Sequence, residues 1–272
     1  MLTTSNRART RIVQSRQNSR VKELRSGFAR PGRSDQGHIS IEGEHLLEEA
    51  VRSGLRVDAV FCRSGSEHLL DRVELPGEAE LLELPAEVFS SAVSTESPQG
   101  IAALVEPPSF TLEDALAGSA PLVVVAAGLQ DPGNLGTLVR SAEAFGASGV
   151  LTLPGTVSLW NAKTLRASSG SAFRLPVVAV REDEAFAALR ERKIAVLAAV
   201  AASGMDATAC DLRRATALMI GNEGSGLPAS LLKEADVRIT ITCSGPVESL
   251  NAAIAGSVLL YEASRQRKKA TA

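Results

Sequence analysis

Asp131-Pro-Gly-Asn-Leu-Gly-Thr-Leu-Val-Arg-Ser-Ala-Glu-Ala-Phe-Gly146 is the stretch whose reading decides the fold class. It follows an apolar run, Leu122-Val-Val-Val-Ala-Ala127, which reads as a buried strand bounded by turn residues. Pro132-Gly133 then breaks the chain, and Asn134 stands where a helix N-cap would stand. Leu135, Leu138, Val139, Ala142 and Phe145 recur at three- and four-residue intervals, one face of a helix. Gly146 and Gly149 punctuate before the next apolar strand, Val150–Leu153. A strand, a tight polar turn and a helix place Asn134 near the helix start, with Arg140 on its polar side. Helix-terminal donors and one fixed cation suit an anionic ligand. On these residues alone the purpose of such an α/β site stays open.

The pattern extends in both directions. Toward the C-terminus further strands are predicted at Val177–Val180, Ile194–Val200, Ala217–Ile220 and Val237–Ile241. Toward the N-terminus, strands at His38–Glu42, Val57–Cys62, Ala79–Leu84 and Gly100–Val105 alternate with helices at Glu44–Ser53, Glu67–Val73 and Ala86–Val93. Ile12–Leu24 reads as a further helix, and Pro31–Gly37 as a turn-rich interruption. Pro107-Pro108 marks a linker. The expected division is a basic arm over 1–33, a small α/β domain over 34–107, a linker over 108–119 and a larger α/β domain over 120–272.

Composition excludes several classes. Of 272 residues, 44% are hydrophobic and 22% charged, enough apolar material for a sizeable core. Aromatics are only 3%, so aromatic base-stacking platforms are not expected to carry any RNA binding. No apolar run approaches the ~20 residues of a membrane span, and the N-terminus lacks the apolar core of a secretory signal. Cys62, Cys210 and Cys243 are scattered, which fits a reducing cytoplasm and neither a disulfide framework nor metal spacing. The net charge of −2 hides an asymmetry: residues 1–33 hold nine of the 29 basic residues against Glu23 alone. A basic arm on an otherwise acidic chain is a footprint of contact with nucleic-acid phosphates, and equally the composition of a solvated, partly disordered terminus. His38, His45 and His68 have no metal-site spacing and read as surface or core fillers.

Two more polar loops follow strands of the larger domain. Gly221-Asn-Glu-Gly-Ser-Gly226 comes after Ala217–Ile220, with a helix expected from Leu227-Pro228. Its glycines let a backbone approach a flat ligand closely, or simply make a loop. Cys243-Ser-Gly-Pro246 is a turn, after which Glu248-Ser-Leu-Asn251 opens a helix running to about Arg267. Ser249 is its natural N-cap, and Leu250, Ile254, Val258 and Tyr261, with Ala253 and Ser257, form its apolar face. Ser249 and Asn251 also serve as plain capping residues. Dinucleotide and phosphate-loop fingerprints are absent, and all three histidines lie in the first domain, so no Ser-His-Asp constellation competes. Three polar loops at the C-terminal ends of strands sit where open α/β sheets bind ligands.

Together these loops resemble the SpoU-TrmH branch of the SPOUT superfamily, RNA 2′-O-ribose methyltransferases that use S-adenosylmethionine. Asp131–Ala142 is similar to the family's first motif, Met219–Leu227 to its second and Glu248–Ala253 to its third. Leu165–Gly170 and Leu175–Val177 also resemble the family. In the first domain Gln17-Asn18 with Val21-Lys22, Ile41-Glu-Gly43 and Pro98-Gln-Gly100 resemble its substrate-binding module. Thr242-Cys243 departs from the Pro-Met of many relatives.

The resemblance implies a parallel-sheet methyltransferase domain with a trefoil knot and a smaller N-terminal RNA-binding α/β domain. It implies homodimers paired through the last helix, with Arg140 serving its own subunit or its partner's. It implies in-line displacement by a ribose 2′-hydroxyl, with Arg140 as electrostatic activator and Asn134 positioning the RNA. An Arg, whose guanidinium stays protonated in proteins, is no free base. Glu223, Ser249 and Asn251 are implied to organise the site, and Gly221, Asn222, Gly224, Ile241, Pro246 and Leu250 to hold S-adenosylmethionine. No metal or membrane is expected. The two-domain layout is similar to members acting on large-subunit ribosomal RNA, antibiotic-resistance enzymes among them. Transfer RNA as substrate, a non-catalytic RNA-binding or assembly factor, and an unrelated nucleotide-using α/β enzyme are the alternatives.

Overall fold

The computed structural model describes residues 10–95, 97–247 and 249–270; Arg7, Arg9 and Glu248 lie outside them. The chain divides into two compact units, one running through Ser109 with Ser158–Arg174 added, the other comprising Phe110–Val157 and Leu175–Ala272. Ser158–Arg174 therefore folds with the first unit and not, as the linear reading expects, with the rest of 120–272. The reason is burial: Leu165, Ala172 and Phe173 sit in the first unit's core, and Arg174 Nη1 reaches the buried Glu49 carboxylate at 2.6 Å.

In the first unit, numbering strands in chain order, β1 (Arg11–Ile12), β2 (Ile39–Glu42), β3 (Val57–Arg63), β4 (Glu80–Leu84) and β5 (Ile101–Val105) form one sheet in the order β1-β4-β3-β5-β2. β3 shows why the sheet has a core on each face. Ala59 and Phe61 pack with Val21, Leu24, Leu82 and Phe89, while Val60 and Cys62 face Ile39, Leu47 and Ala103. This is the two-residue period of a strand buried on both sides.

Three expectations are corrected here. The helix predicted over Ile12–Leu24 begins only at Ser19 and runs to Ala29, because Asn18 caps it and Arg11–Ile12 pairs with β4 instead. The segment 1–33 is thus no separate arm among its described residues. Arg20 meets Asp58 at 2.7 Å and Glu80 at 3.1 Å, Arg11 meets Glu80 at 2.8 Å, and Arg25 donates to Ser91 O at 2.9 Å. Much of the described basic charge is committed to internal carboxylates and carbonyls. The helix predicted over Glu67–Val73 is a single 3-10 turn, Glu67–Leu69. Only about ten residues separate Gly65 from Pro76-Gly77, too few to offset the cost of nucleating an α-helix.

The second unit is a seven-stranded sheet of β6 (Leu122–Ala126), β7 (Gly149–Thr152), β8 (Val177–Ala179), β9 (Ala195–Ala199), β10 (Met205–Asp206), β11 (Thr216–Ile220) and β12 (Val237–Thr240). Their order is β10-β12-β9-β11-β6-β7-β8, and all six pairings are parallel. β6 and β11 are buried at every residue, which their uninterrupted apolar sequences require of central parallel strands. The chain moves from β6 outward through β7 and β8, then returns to fill the other side with β9 to β12. The reversal falls between β6 and β11, so their C-terminal ends flank a crevice of the kind that binds ligands. All ten predicted strands are present; the short edge strands β1 and β10 were not foreseen.

The final helix, Ala252–Ala270, packs on the helix Pro132–Ala144. Its buried face differs from the expected one. Ala253, Gly256, Leu260 and Ala263 are turned inward, whereas Ile254, Val258 and Tyr261 are 50%, 40% and 55% exposed. Both stripes have helical spacing, and side-chain size decides between them. A Cβ added at Gly256 would lie 2.4 Å from Leu138 Cδ1, so the stripe with a glycine at the point of closest approach admits this crossing. Ser141 Oγ and Ser257 Oγ lie 2.7 Å apart, and the Phe145 and Tyr261 rings meet edge to face at 5.7 Å.

Candidate active site

The first loop leaves β6 alongside β11, the two joined by a hydrogen bond from Ala127 N to Ile220 O of 2.8 Å. The N-cap of the following helix is Asp131, whose Oδ1 accepts from Asn134 N at 2.9 Å, with Pro132 in the first turn. Asn134 is therefore not the cap that its position suggested. An Asp followed by Pro is itself a helix-start signature, and it outranks a later Asn because Pro needs no N–H donor there. The displacement has a chemical consequence: the Asn134 carboxamide is free to act elsewhere.

It joins the two other loops. Asn134 Nδ2 donates to Glu223 Oε1 at 2.9 Å, and Asn134 Oδ1 accepts from Asn251 Nδ2 at 3.0 Å. The direction of this relay follows from the last helix. Asn251 Oδ1 accepts from Ala253 N (2.9 Å) and Ile254 N (3.2 Å), so its amide nitrogen faces Asn134. Asn251 thus caps the helix in place of the expected Ser249. Glu223 also accepts from Asp131 N (3.1 Å) and Gln130 N (3.2 Å). Partial burial pushes the Glu223 carboxyl upward, but the hydrogen bonds from Asn134 and from the backbone outweigh it and hold its pKa below the usual value.

The second loop is a tight turn closed by reciprocal backbone bonds between Asn222 and Gly226 (3.1 and 3.0 Å). Asn222 Oδ1 accepts from Gly224 N and Ser225 N, while its Nδ2 donates to Gly128 O at 2.8 Å, tying this loop to the first. A Cβ at Gly221 would lie 2.5 Å from the Gly226 backbone, so nothing larger than glycine fits the crossing. Thr156, which the sequence did not single out, braces the first loop from behind. Its hydroxyl donates to Ala126 O and accepts from Gly128 N, both at 3.0 Å.

A cavity of about 580 Å³ opens where β9, β11 and β12 end. Ile220, Ile239, Ile241, Val247, Leu250 and Leu259 give it apolar walls, and the 221–226 loop supplies backbone and the Glu223 carboxylate. Among the described residues no Lys or Arg lines it. Of the residues expected to hold a cofactor, Gly221, Asn222, Gly224, Ile241 and Leu250 line this cavity and Pro246 does not; Ser249 lines it as well. Arg140 is exposed on the helix Pro132–Ala144, and it and Ser249 take no part in the Asn134–Glu223–Asn251 relay. Among the described residues no cluster of His, Cys, Asp and Glu is placed to hold a metal, and no helix is long and apolar enough to cross a membrane.

The profile of the SpoU rRNA methylase family matches residues 121–261, spanning all three loops and the cavity. This chain belongs to that family. Residues 18–103 match the MRM3-like substrate binding domain, a range that takes in the first unit's Ser19–Ala29 helix, β2, β3, β4 and the start of β5. The SpoU-type layout extends over full-length relatives. The 23S rRNA (guanosine(2553)-2′-O)-methyltransferase RlmP of Bacillus subtilis is 33% identical over 253 residues, covering 92% of this chain and 97% of that protein. Among solved structures, the SpoU methyltransferase AviRb of Streptomyces viridochromogenes in complex with AdoMet is similar with a TM-score of 0.80 and 27% identity. The match covers 92% of this chain and 98% of AviRb. An rRNA methyltransferase of Sinorhizobium meliloti gives 0.81 and 29%, over 94% and 98%.

Proposed function

We propose that this SpoU-family protein, an RNA 2′-O-methyltransferase that uses S-adenosylmethionine, acts on a ribose of large-subunit ribosomal RNA and binds its cofactor in the 580 Å³ cavity. The observation that carries the reading is the relay joining Asn134, Glu223 and Asn251, one residue from each loop, beside that cavity.

The residues present fit the cofactor. A volume of this size suits a small molecule. Apolar walls and glycine backbone favour a flat purine, and a cavity lined by a carboxylate but by no described Lys or Arg favours a cationic ligand over a nucleotide rich in phosphate. Gly221, Asn222, Gly224, Ile241 and Leu250 would hold it, with Pro246 shaping the turn beside them. When bound, the cofactor supplies a methyl group on a positively charged sulfur.

This chain's own side chains then have separable tasks. Arg140, exposed and without an internal partner among the described residues, faces RNA and draws the 2′-hydroxyl toward ionisation by its fixed charge, the proton passing to RNA phosphate or water. Asn134 positions the RNA, held at both ends of its carboxamide by Glu223 and Asn251 so that one rotamer is prepaid before substrate arrives. Ser249 contributes a hydroxyl to the cavity wall.

The same proposal includes a homodimer, a trefoil knot in the second unit and a cytoplasmic location. Ile254, Val258 and Tyr261 form an exposed apolar stripe on the last helix, the kind of surface that a second copy covers. The first unit selects the RNA. Incubation with labelled S-adenosylmethionine and unmodified ribosomal RNA, followed by mapping of alkali-resistant linkages, tests the reaction. One 2′-O-methylated position in the large-subunit RNA is the expected result. Incorporation into transfer RNA alone would overturn the substrate assignment.

A further inference from the structure

Eleven residues, Ile241 to Asn251, connect β12 to the last helix, the described ones without regular structure, and Ile241, Thr242, Cys243, Val247, Ser249 and Leu250 among them line the cavity. The stretch is held at its ends. Asn251 is bound to Asn134 at one end. At the other, Thr242 Oγ1 donates to Asp206 Oδ2. Among the described residues between them, the hydrogen bonding is confined to Cys243 Sγ with Ile241 O, a local contact of 3.7 Å. The stretch is a strap with two anchors.

The Asp206 anchor is itself built in. Asp206 lies on β10, where it pairs with Thr240 of β12, and its Oδ1 accepts from Thr208 N at 2.9 Å. Two residues before Thr242, Thr240 Oγ1 donates to Val200 O (3.0 Å) and accepts from Gly204 N (3.1 Å). A Cβ at Gly204 would lie 2.5 Å from Thr240 Oγ1, so the loop from β9 to β10 is pressed against the end of β12. Ala199, at the end of β9, and residues 200–202 of that loop are a further part of the cavity wall. Two threonines on alternate positions thus fasten two walls of the cavity to each other, and the second of them fixes where the strap begins.

We propose that Asp206, outside the cavity, is a positioning residue for cofactor binding: through Thr242 it sets the strap over the cavity, as Asn134 does through Asn251 at the far end. The inference rests on the cavity reading above. A carboxylate fits this task because it accepts from Thr208 and Thr242 at once, one oxygen to each.

The test is a calorimetric titration of the full chain with S-adenosylmethionine, with circular dichroism confirming folding. Asp206→Ala and Thr242→Val are each expected to weaken cofactor binding about tenfold, with the double variant no worse than either alone. Thr242→Ser, which keeps the hydroxyl, is expected to restore binding. In methyl transfer the KM for cofactor rises while kcat at saturation and RNA affinity stay as in the wild type. Should Asp206→Ala melt the short edge strand, Asp206→Asn, which keeps the shape but removes one acceptor oxygen, carries the test in its place. Wild-type affinity in Thr242→Val, or losses that multiply in the double variant, would overturn the proposal. Ala255→Trp, which fills the cavity, is expected to abolish binding. If it binds normally, the cavity reading fails and takes this inference with it.

Discussion

Asn134 and Asn251, separated by 117 positions in the chain, share a hydrogen bond of 3.0 Å in which Asn251 donates and Asn134 accepts. Because Asn251 Oδ1 is occupied by the helix it caps, the bond has one polarity, and that polarity turns the Asn134 amide nitrogen toward Glu223. Asn134→Asp replaces a donor with a second carboxylate facing Glu223. Single-turnover methyl transfer in this variant should fall about 10²-fold, the scale of losing one positioned polar group in an active site. A rate within threefold of wild type would remove the relay from the mechanism.

Arg140 gives the opposite kind of variant, chemically severe and structurally silent. It is exposed and makes no described internal contact, so Arg140→Ala should leave thermal stability within about 0.5 kcal/mol of wild type. Methyl transfer should drop by about 10²-fold or more. Thermal melts and labelled transfer on one preparation separate the two effects.

Gly221 and Gly256 are both crowded, by different neighbours. At Gly221 the nearest atoms are backbone of Gly226 and Leu227, 2.5 to 2.7 Å from an added Cβ, so Gly221→Ala must displace the loop. It should cost about 1–3 kcal/mol and impair cofactor binding. At Gly256 the nearest atom is the end of the flexible Leu138 side chain, and alanine gains up to about 1 kcal/mol of helix propensity. Gly256→Ala should therefore be near neutral and Gly256→Val clearly destabilising in denaturant titrations.

Two carboxylates predict the acid limb of stability. Hydrogen bonds from Thr208 and then Thr242 lower Asp206 to about 2, and Glu223 is lowered because hydrogen bonds outweigh its burial. A depressed carboxylate stabilises the fold fully above its unfolded value, near 4, and that contribution disappears as pH falls through the folded value. The melting-temperature gap between wild type and Asp206→Asn should persist at pH 6 and close toward pH 2. The gap for Glu223→Gln should narrow below about pH 4. Gaps that widen in acid would show that the ionised forms are not the stabilising ones.

The exposed stripe on the last helix predicts the assembly. Val258→Asp places a charge between Ile254 and Tyr261 and should convert a dimer to a folded monomer in light scattering. A wild-type protein that is already monomeric at micromolar concentration would refute the dimer.

The sequence by itself determined the ten longer strands, the two α/β layers and the three loops that carry polar residues. These are local quantities: a buried parallel strand needs an unbroken apolar run, and a loop after it is marked by Gly, Pro and Asn. The resemblance of those loops to a known family was legible for the same reason, since motif residues lie next to one another in the chain. What only the tertiary structure decided were choices between local equals. Asn134 was read as a cap but Asp131 takes that place, and of Ser249 and Asn251 it is Asn251 that caps; the contacts of the side chain left over settled each case. Two apolar stripes on the last helix had the same period, and the room beside Leu138 selected the smaller one. The basic N-terminal segment looked like a free arm until carboxylates from β3 and β4 were placed against it. Thr156 and Asp206 carried no signal at all, and Thr242 only that of a departure from its relatives, because a hydroxyl or carboxylate that braces a loop from another strand acquires its meaning only when the sheet brings the two together.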